Sequence, residues 1–245
     1  MLVVDAGSAL GGGWTALKSG GEVMVEAMNL MDYDAMALGR MDFALGLPIL
    51  QERAKDASFP FLAANIVTLA GEPLFEAFTI FERDGVRVGI LGLSESEVVR
   101  IAGIEDQAKA LDFIDAAARY VPELRPQVDL LVVLSHVGLD EDKALAAAVP
   151  GIDIIIGGNT RKLMQVPERV GNTLVVQQGY RGEWMGKLDA AFDAEGNIVD
   201  AKETLITLGP DYADDPEMAA LVAKWAKLYP TPTPRPRPTS TPEKK

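Results

Sequence analysis

The chain has 245 residues, 23 basic and 36 acidic side chains, a net charge of −13, one histidine and no cysteine. No disulfide, thiolate nucleophile, cysteine–zinc site or iron–sulfur cluster can form, and no metal centre within the chain can draw on two imidazoles. The acidity argues against a nucleic-acid binder, which must neutralise phosphates; no apolar run approaches the ~20 residues of a membrane span, and residues 1–5 lack the basic start and apolar length of a secretory signal.

Apolar runs bounded by turn residues predict strands at 2–5, 35–38, 61–66, 78–82, 86–93, 130–134, 152–156, 173–177 and 186–192. Asp84-Gly85 predicts a hairpin turn between 78–82 and 86–93. A second hairpin is expected at 192–197, with Gly196 in its turn. Helical spacing of apolar residues predicts helices at 21–32, 42–55, 105–120, 141–148 and 216–228. In the third of these, Ala108, Leu111, Ile114, Ala117 and Ala118 share one stripe. Strands alternating with helices imply a layered α/β domain over residues 1–228.

From Pro230 the sequence reads PTPTPRPRPTSTPEKK and holds six of the 15 prolines. Residues 229–245 therefore read as a Pro/Thr-rich, disordered, polyproline-like tail, a spacer or a docking peptide. The tail carries +3 and the body −16.

Four segments follow predicted buried strands: residues 4–8, 37–43, 134–138 and 156–161. Ligand sites of α/β sheets gather at such carboxyl ends. The run Gly11-Gly12-Gly13 lacks the Lys-Ser/Thr of a phosphate-binding loop and reads as an ordinary loop. Asp140, Glu141 and Asp142 read as the start of a helix.

These segments lie in a series of ordered matches across residues 1–207: VEAMNLMDYDAMALGRMDFALG, FPFLAANI, VRVGILGL, LSHVGLDED, VPGIDIIIGG and NTLVVQQG. Together they resemble the N-terminal metallophosphoesterase (calcineurin-like) domain of the bacterial 5′-nucleotidase family. The resemblance implies a layered α/β/β/α sandwich. In active members it implies two divalent metals that activate water and clamp the phosphoryl oxygens, with a histidine assisting the leaving group.

Set against the family motifs, the ligand positions are altered. Only four residues precede Asp5, so the Asp-x-His of the opening strand has no counterpart, and the sandwich is expected without its N-terminal strand. In "DAGD" the bridging aspartate is Ser8, while Asp5 matches the first aspartate. In "GNHE" the asparagine is Arg40, the catalytic histidine is Met41 and the glutamate is Asp42. His136 matches a family ligand. In "GGHTH" the two histidines are Asn159 and Arg161. Ser8, Arg40, His136, Asn159 and Arg161 are thus vestigial metal positions, and no metal cofactor is expected. Serine is a poor ligand for such ions, and a guanidinium repels them.

His136 also reads as a hydrogen-bonded structural residue, and Met41 as a gap filler. Arg40, Arg161 and Asn159 are a candidate site for a phosphate-like anion. Alternatively the arginines are surface charges, or Arg40 pairs with a carboxylate such as Asp42 and the cleft is closed. The expected function is a catalytically inactive phosphoesterase-like domain acting as a binding or structural subunit of a cell-envelope complex. The competing class is a metal-dependent 5′-nucleotidase of weak or altered activity. An open strand edge calls for cover: either the sequence begins inside a longer gene product whose upstream part holds the first strand and an export signal, or a protein partner or a second copy fills the edge. Family and tail together imply an extracytoplasmic location.

Overall fold

The computed structural model describes residues 1–193 and 198–232. In chain order the first elements are β1 (Val4–Asp5), α1 (Trp14–Lys18), α2 (Glu22–Leu30), β2 (Ala35–Ala37), α3 (Arg40–Phe43), α4 (Leu47–Asp56), β3 (Phe61–Leu62) and β4 (Ile66–Thr68). Then come β5 (Phe78–Arg83), β6 (Val86–Ser94), α5 (Val98–Ala102), β7 (Ala108–Ala110), α6 (Phe113–Leu124) and β8 (Leu130–His136). Last are α7 (Leu139–Ala148), β9 (Ile154–Gly157), β10 (Glu168–Val170), β11 (Thr173–Val176), β12 (Trp184–Phe192), β13 (Ile198–Thr207) and α8 (Pro216–Leu228).

The strands form a six-stranded sheet, β10-β11-β9-β8-β6-β5, and a three-stranded parallel sheet, β1-β2-β3. In the larger sheet β11, β9, β8 and β6 run parallel, flanked by antiparallel β10 and β5. Two-stranded ribbons β12-β13 and β4-β7 complete it.

Side-chain alternation builds four layers. Val132 and Leu134 of β8 meet Ala35 and Ala37 of β2 in a core between the two sheets. Leu131 and Val133 point the other way, into a core covered by α6 and α7. Met36 and Leu38 likewise face away from the inter-sheet core, towards α2, α3 and α4. The central strands are therefore apolar on both faces over most of their length, which is why their cores read as continuous hydrophobic segments. The result is the α/β/β/α sandwich that the resemblance implies. Within the described residues β1 pairs with β2 alone. No helix among them is long and apolar enough to cross a membrane.

Three expected elements differ. The helix predicted over 42–55 is two, because Gly46 takes a left-handed φ of 86° between α3 and α4. The strand predicted over 61–66 is two, turned at 63–65, where Asn65 bonds to Ser94 N (2.9 Å) and Ser94 O (2.8 Å). The helix predicted over 105–120 begins only at Phe113. Asp112 caps it by accepting from Ile114 N at 2.8 Å and Asp115 N at 3.1 Å. Residues 108–110 are instead β7, paired with β4, so the stripe drawn through Ala108 does not exist. The turn assigned to Gly196 and the tail from 233 onward lie outside the described residues.

α8 spans the predicted 216–228. It docks on α2 through Trp225, whose indole N–H donates to Glu26 Oε2 at 2.8 Å, and Lys224 Nζ reaches the same oxygen at 2.9 Å. Trp225 packs with Ala16 and Val23 and stacks on Tyr229.

Candidate functional site

The carboxyl ends of β1, β2, β6, β8 and β9 converge, and the loops that follow carry every residue singled out in the sequence. His136, the last residue of β8, is the hub. Its ring lies against three glycines, one from each of three loops. A Cβ built on Gly39 would sit 2.5 Å from Cδ2 of the ring, one on Gly158 would sit 2.6 Å from Nδ1, and one on Gly7 would sit 3.0 Å from Nδ1. The first two distances are closer than real Cβ contacts allow and the third is tight, so the glycines let the backbone approach the imidazole.

Both ring nitrogens are engaged. Nδ1 lies 2.7 Å from the Ala6 carbonyl, which only accepts, so Nδ1 carries the proton. Nε2 lies 2.9 Å from Ser8 Oγ. With the proton on Nδ1 the neutral ring can only accept at Nε2, so the hydroxyl donates to it, and the same oxygen accepts from Met41 N at 3.1 Å. Burial, above all, and the Arg161 guanidinium hold His136 below its ordinary pKa, against the pull of Ala6. The side chain is a neutral imidazole whose one lone pair is taken.

Asp42 ties two loops together. It is fully buried and accepts from Ser8 N (2.7 Å), Leu10 N (2.8 Å) and Gly39 N (2.8 Å). Burial pushes its carboxyl up to about 7, although the three amides favour the anion. Asp5 accepts from Gly7 N at 2.7 Å, and burial raises it to about 6. Arg40 does pair with a carboxylate, but not with Asp42. The exposed Arg40 guanidinium instead lies 3.6 Å from Glu97.

Asn159 points inward: its amide nitrogen donates to Glu95 Oε2 (2.6 Å), Val137 O (3.1 Å) and His136 O (3.3 Å). Glu95 is half-buried, its Oε1 has no partner, and burial first, then Glu97, raise its pKa against Arg40 and Asn159. Met41 is half-buried, and its N–H serves Ser8. Arg161 lies outside this knot, on the ring of Tyr180. Ser8, Asn159 and Arg161 all have left-handed backbone, at φ 67°, 52° and 58°.

Sequence reasoning did not reach Glu95, Glu97, Ser135 or Gln177. Ser135 bonds to the buried Asp142 at the start of α7, and burial raises that carboxyl to about 7. Asp142 does open the helix as expected, with its second oxygen unpartnered. Gln177 donates to Gly158 O and accepts from Thr160 Oγ1 at 2.8 Å, holding the 157–162 loop. The only available signal was a lone polar residue ending a buried strand.

The donor set does not fit a two-metal centre. Such a centre needs bridging and terminal carboxylate, imidazole or amide oxygen ligands around open positions. Here a serine hydroxyl caps the imidazole lone pair, the asparagine turns its N–H groups inward, and both oxygens of Asp42 accept backbone amides. Among the described residues no three His, Asp or Glu side chains are placed to hold one ion.

No protein-family model matches the chain. The 5′-nucleotidase of Bos taurus is 30% identical over 251 residues, covering 92% of this chain and 44% of that protein. A solved 5′-nucleotidase precursor from Thermus thermophilus superimposes with a TM-score of 0.86 at 29% identity, covering 93% of this chain and 49% of that one. The calcineurin-like phosphoesterase YfkN of Bacillus subtilis shares the fold, with a TM-score of 0.82 at 23% identity over 93% of this chain and 83% of that one. The chain thus spans less than half the length of the nucleotidases it matches. It belongs to the 5′-nucleotidase family of calcineurin-like phosphoesterases and corresponds to the family's N-terminal metallophosphoesterase domain.

Proposed function

We propose that this domain is a catalytically inactive phosphoesterase that serves as a binding or structural module, in an extracytoplasmic complex. One observation carries the reading: the Ser8 hydroxyl occupies the lone pair of His136, the chain's sole imidazole. An imidazole so capped cannot ligate a cation without losing its hydrogen bond, and the neighbouring Asp42 is committed to three amides. The family's two divalent metals then have no seat here, and Met41 cannot relay a proton to a leaving group. The loops that support catalysis in an active relative would be a self-satisfied knot in this chain.

Leu2 and Val4 pack in the inter-sheet core, and among the described residues β1 pairs with β2 alone; more of the same gene product, a protein partner or a second copy would cover its other side. The test of the reading is an assay of nucleotide monophosphate hydrolysis with added manganese or zinc. The domain should release no phosphate above buffer. Metal-dependent turnover would establish the alternative, an active 5′-nucleotidase of altered centre.

A further inference from the structure

Beside the knot lies a surface of opposite character to the acidic body. Arg161 and Lys162 follow β9, and Arg181 follows β11; all three are exposed. Among the described residues none of them has an ion-pair partner, whereas Arg40, Arg83, Arg87 and Arg125 each face a carboxylate. The two loops are fastened to each other: Gly179 N donates to Lys162 O at 2.9 Å, and Met164 N to Gln177 O at 2.9 Å. Gln177 Oε1 accepts from Lys162 N at 3.0 Å.

Both arginines lie by the ring of Tyr180, 43% exposed, with the guanidinium of Arg161 at 5.6 Å and that of Arg181 at 5.3 Å from its centre. A guanidinium laid on an aromatic face keeps its in-plane N–H donors free for a bidentate acceptor. The backbone supplies an independent sign. Both arginines have left-handed φ, 58° and 64°, where a long side chain is disfavoured and glycine or asparagine is the usual choice. Strain of this kind gathers where a side chain is needed at a set place.

We propose that Arg161 and Arg181, both on Tyr180, with Lys162 next in sequence to Arg161, bind a tetrahedral oxyanion: phosphate, free or as a monoester. The proposal deepens the binding-module reading and rests on it. It shifts the anion contact away from Arg40 and Asn159, whose polar groups already face Glu97 and Glu95.

The experiment is calorimetric titration with inorganic phosphate at low ionic strength and with a chelator present, on the full chain and on the R161N/R181N and R40Q variants. Asparagine relaxes the left-handed backbone, so the double variant should unfold no earlier than the parent. The parent should bind phosphate in the millimolar range (roughly 1–10 mM, a weak exposed site), R161N/R181N about tenfold or more weakly, and R40Q like the parent. A parallel titration with glycerol phosphate separates a site for the free ion from one for the ester. Parent-like binding by R161N/R181N, or no binding by the parent at about 20 mM, would overturn the proposal. With chelator present, the outcome is independent of whether the chain hydrolyses esters with added metal.

Discussion

The hydroxyl of Ser8 donates to Nε2 of His136 across 2.9 Å, joining the loop after β1 to the end of β8. The same oxygen accepts from Met41 N, so one side chain links three loops. Replacing it, in S8A, leaves a buried amide and a buried imidazole nitrogen without partners. The expected cost is about 1–3 kcal/mol, read as the shift of the urea midpoint at constant slope. An unchanged midpoint would mean that the bond holds nothing together.

The contact between Gly39 and the His136 ring makes a double-mutant cycle informative. G39A drives a methyl into the imidazole and should destabilise by about 1–3 kcal/mol through overpacking. H136A removes the ring and strands Ala6 O, costing about 2–4 kcal/mol. In the double variant the new methyl occupies space the ring has left. The two costs should then fall short of additivity by about 1–2 kcal/mol. Simple additivity would place the ring somewhere other than against Gly39.

Buried carboxyls set the pH dependence. Asp42 and Asp142 are raised to about 7 and Asp5 to about 6, from 3.8 in the unfolded chain. Between those values the native state holds protons that the unfolded state has lost. Their stabilising effect is complete below 3.8 and disappears as pH rises through about 7. His136 works the other way, because its folded pKa lies below 6.5, so its contribution fades as pH falls. Three carboxyls outweigh one imidazole, and the chain should be more stable near about pH 5 than near about pH 8. In D142N the slope of stability against pH between about 4 and 7 should shrink by about one proton, near 1.4 kcal/mol per pH unit. An unaltered slope would remove Asp142 from this account.

α8 is held at one buried residue, Trp225, with Glu26 accepting from its indole. W225A should undock the helix and leave both sheets intact. Hydrogen exchange should rise by orders of magnitude across 216–228 and stay unchanged in β6 and β8. Protection of α8 equal to the parent's would refute that anchoring.

The layers were legible because β6, β8, β9 and β11 are buried on both faces over most of their length, which leaves continuous apolar cores at 88–93, 130–134, 154–156 and 174–176. The short elements were not. β3 and β4 share one apolar run that only the Asn65 bonds to Ser94 bend in two, and the Ala-rich start of 105–120 gives no sign that residues 108–110 pair with β4. At the site, the motif register named Ser8, Arg40, Met41, His136, Asn159 and Arg161, and four of them, Ser8, Met41, His136 and Asn159, are joined by hydrogen bonds around the ends of β1, β2, β8 and β9. What each of them touches was invisible, because the partners come from far along the chain. Glu95, at the end of β6, reaches Asn159 across 64 residues of sequence, and Glu97 reaches back to Arg40. Tyr180 and Arg181 carried no motif at all.

A single histidine makes the central claim easy to read, since every imidazole signal in a nitrogen-15 NMR spectrum belongs to His136. The account predicts a neutral ring protonated on Nδ1 at neutral pH, with Nε2 accepting, and no change when one or two equivalents of zinc or manganese are added. Displacement of the Nε2 resonance by stoichiometric zinc, or its broadening by stoichiometric manganese, would contradict it.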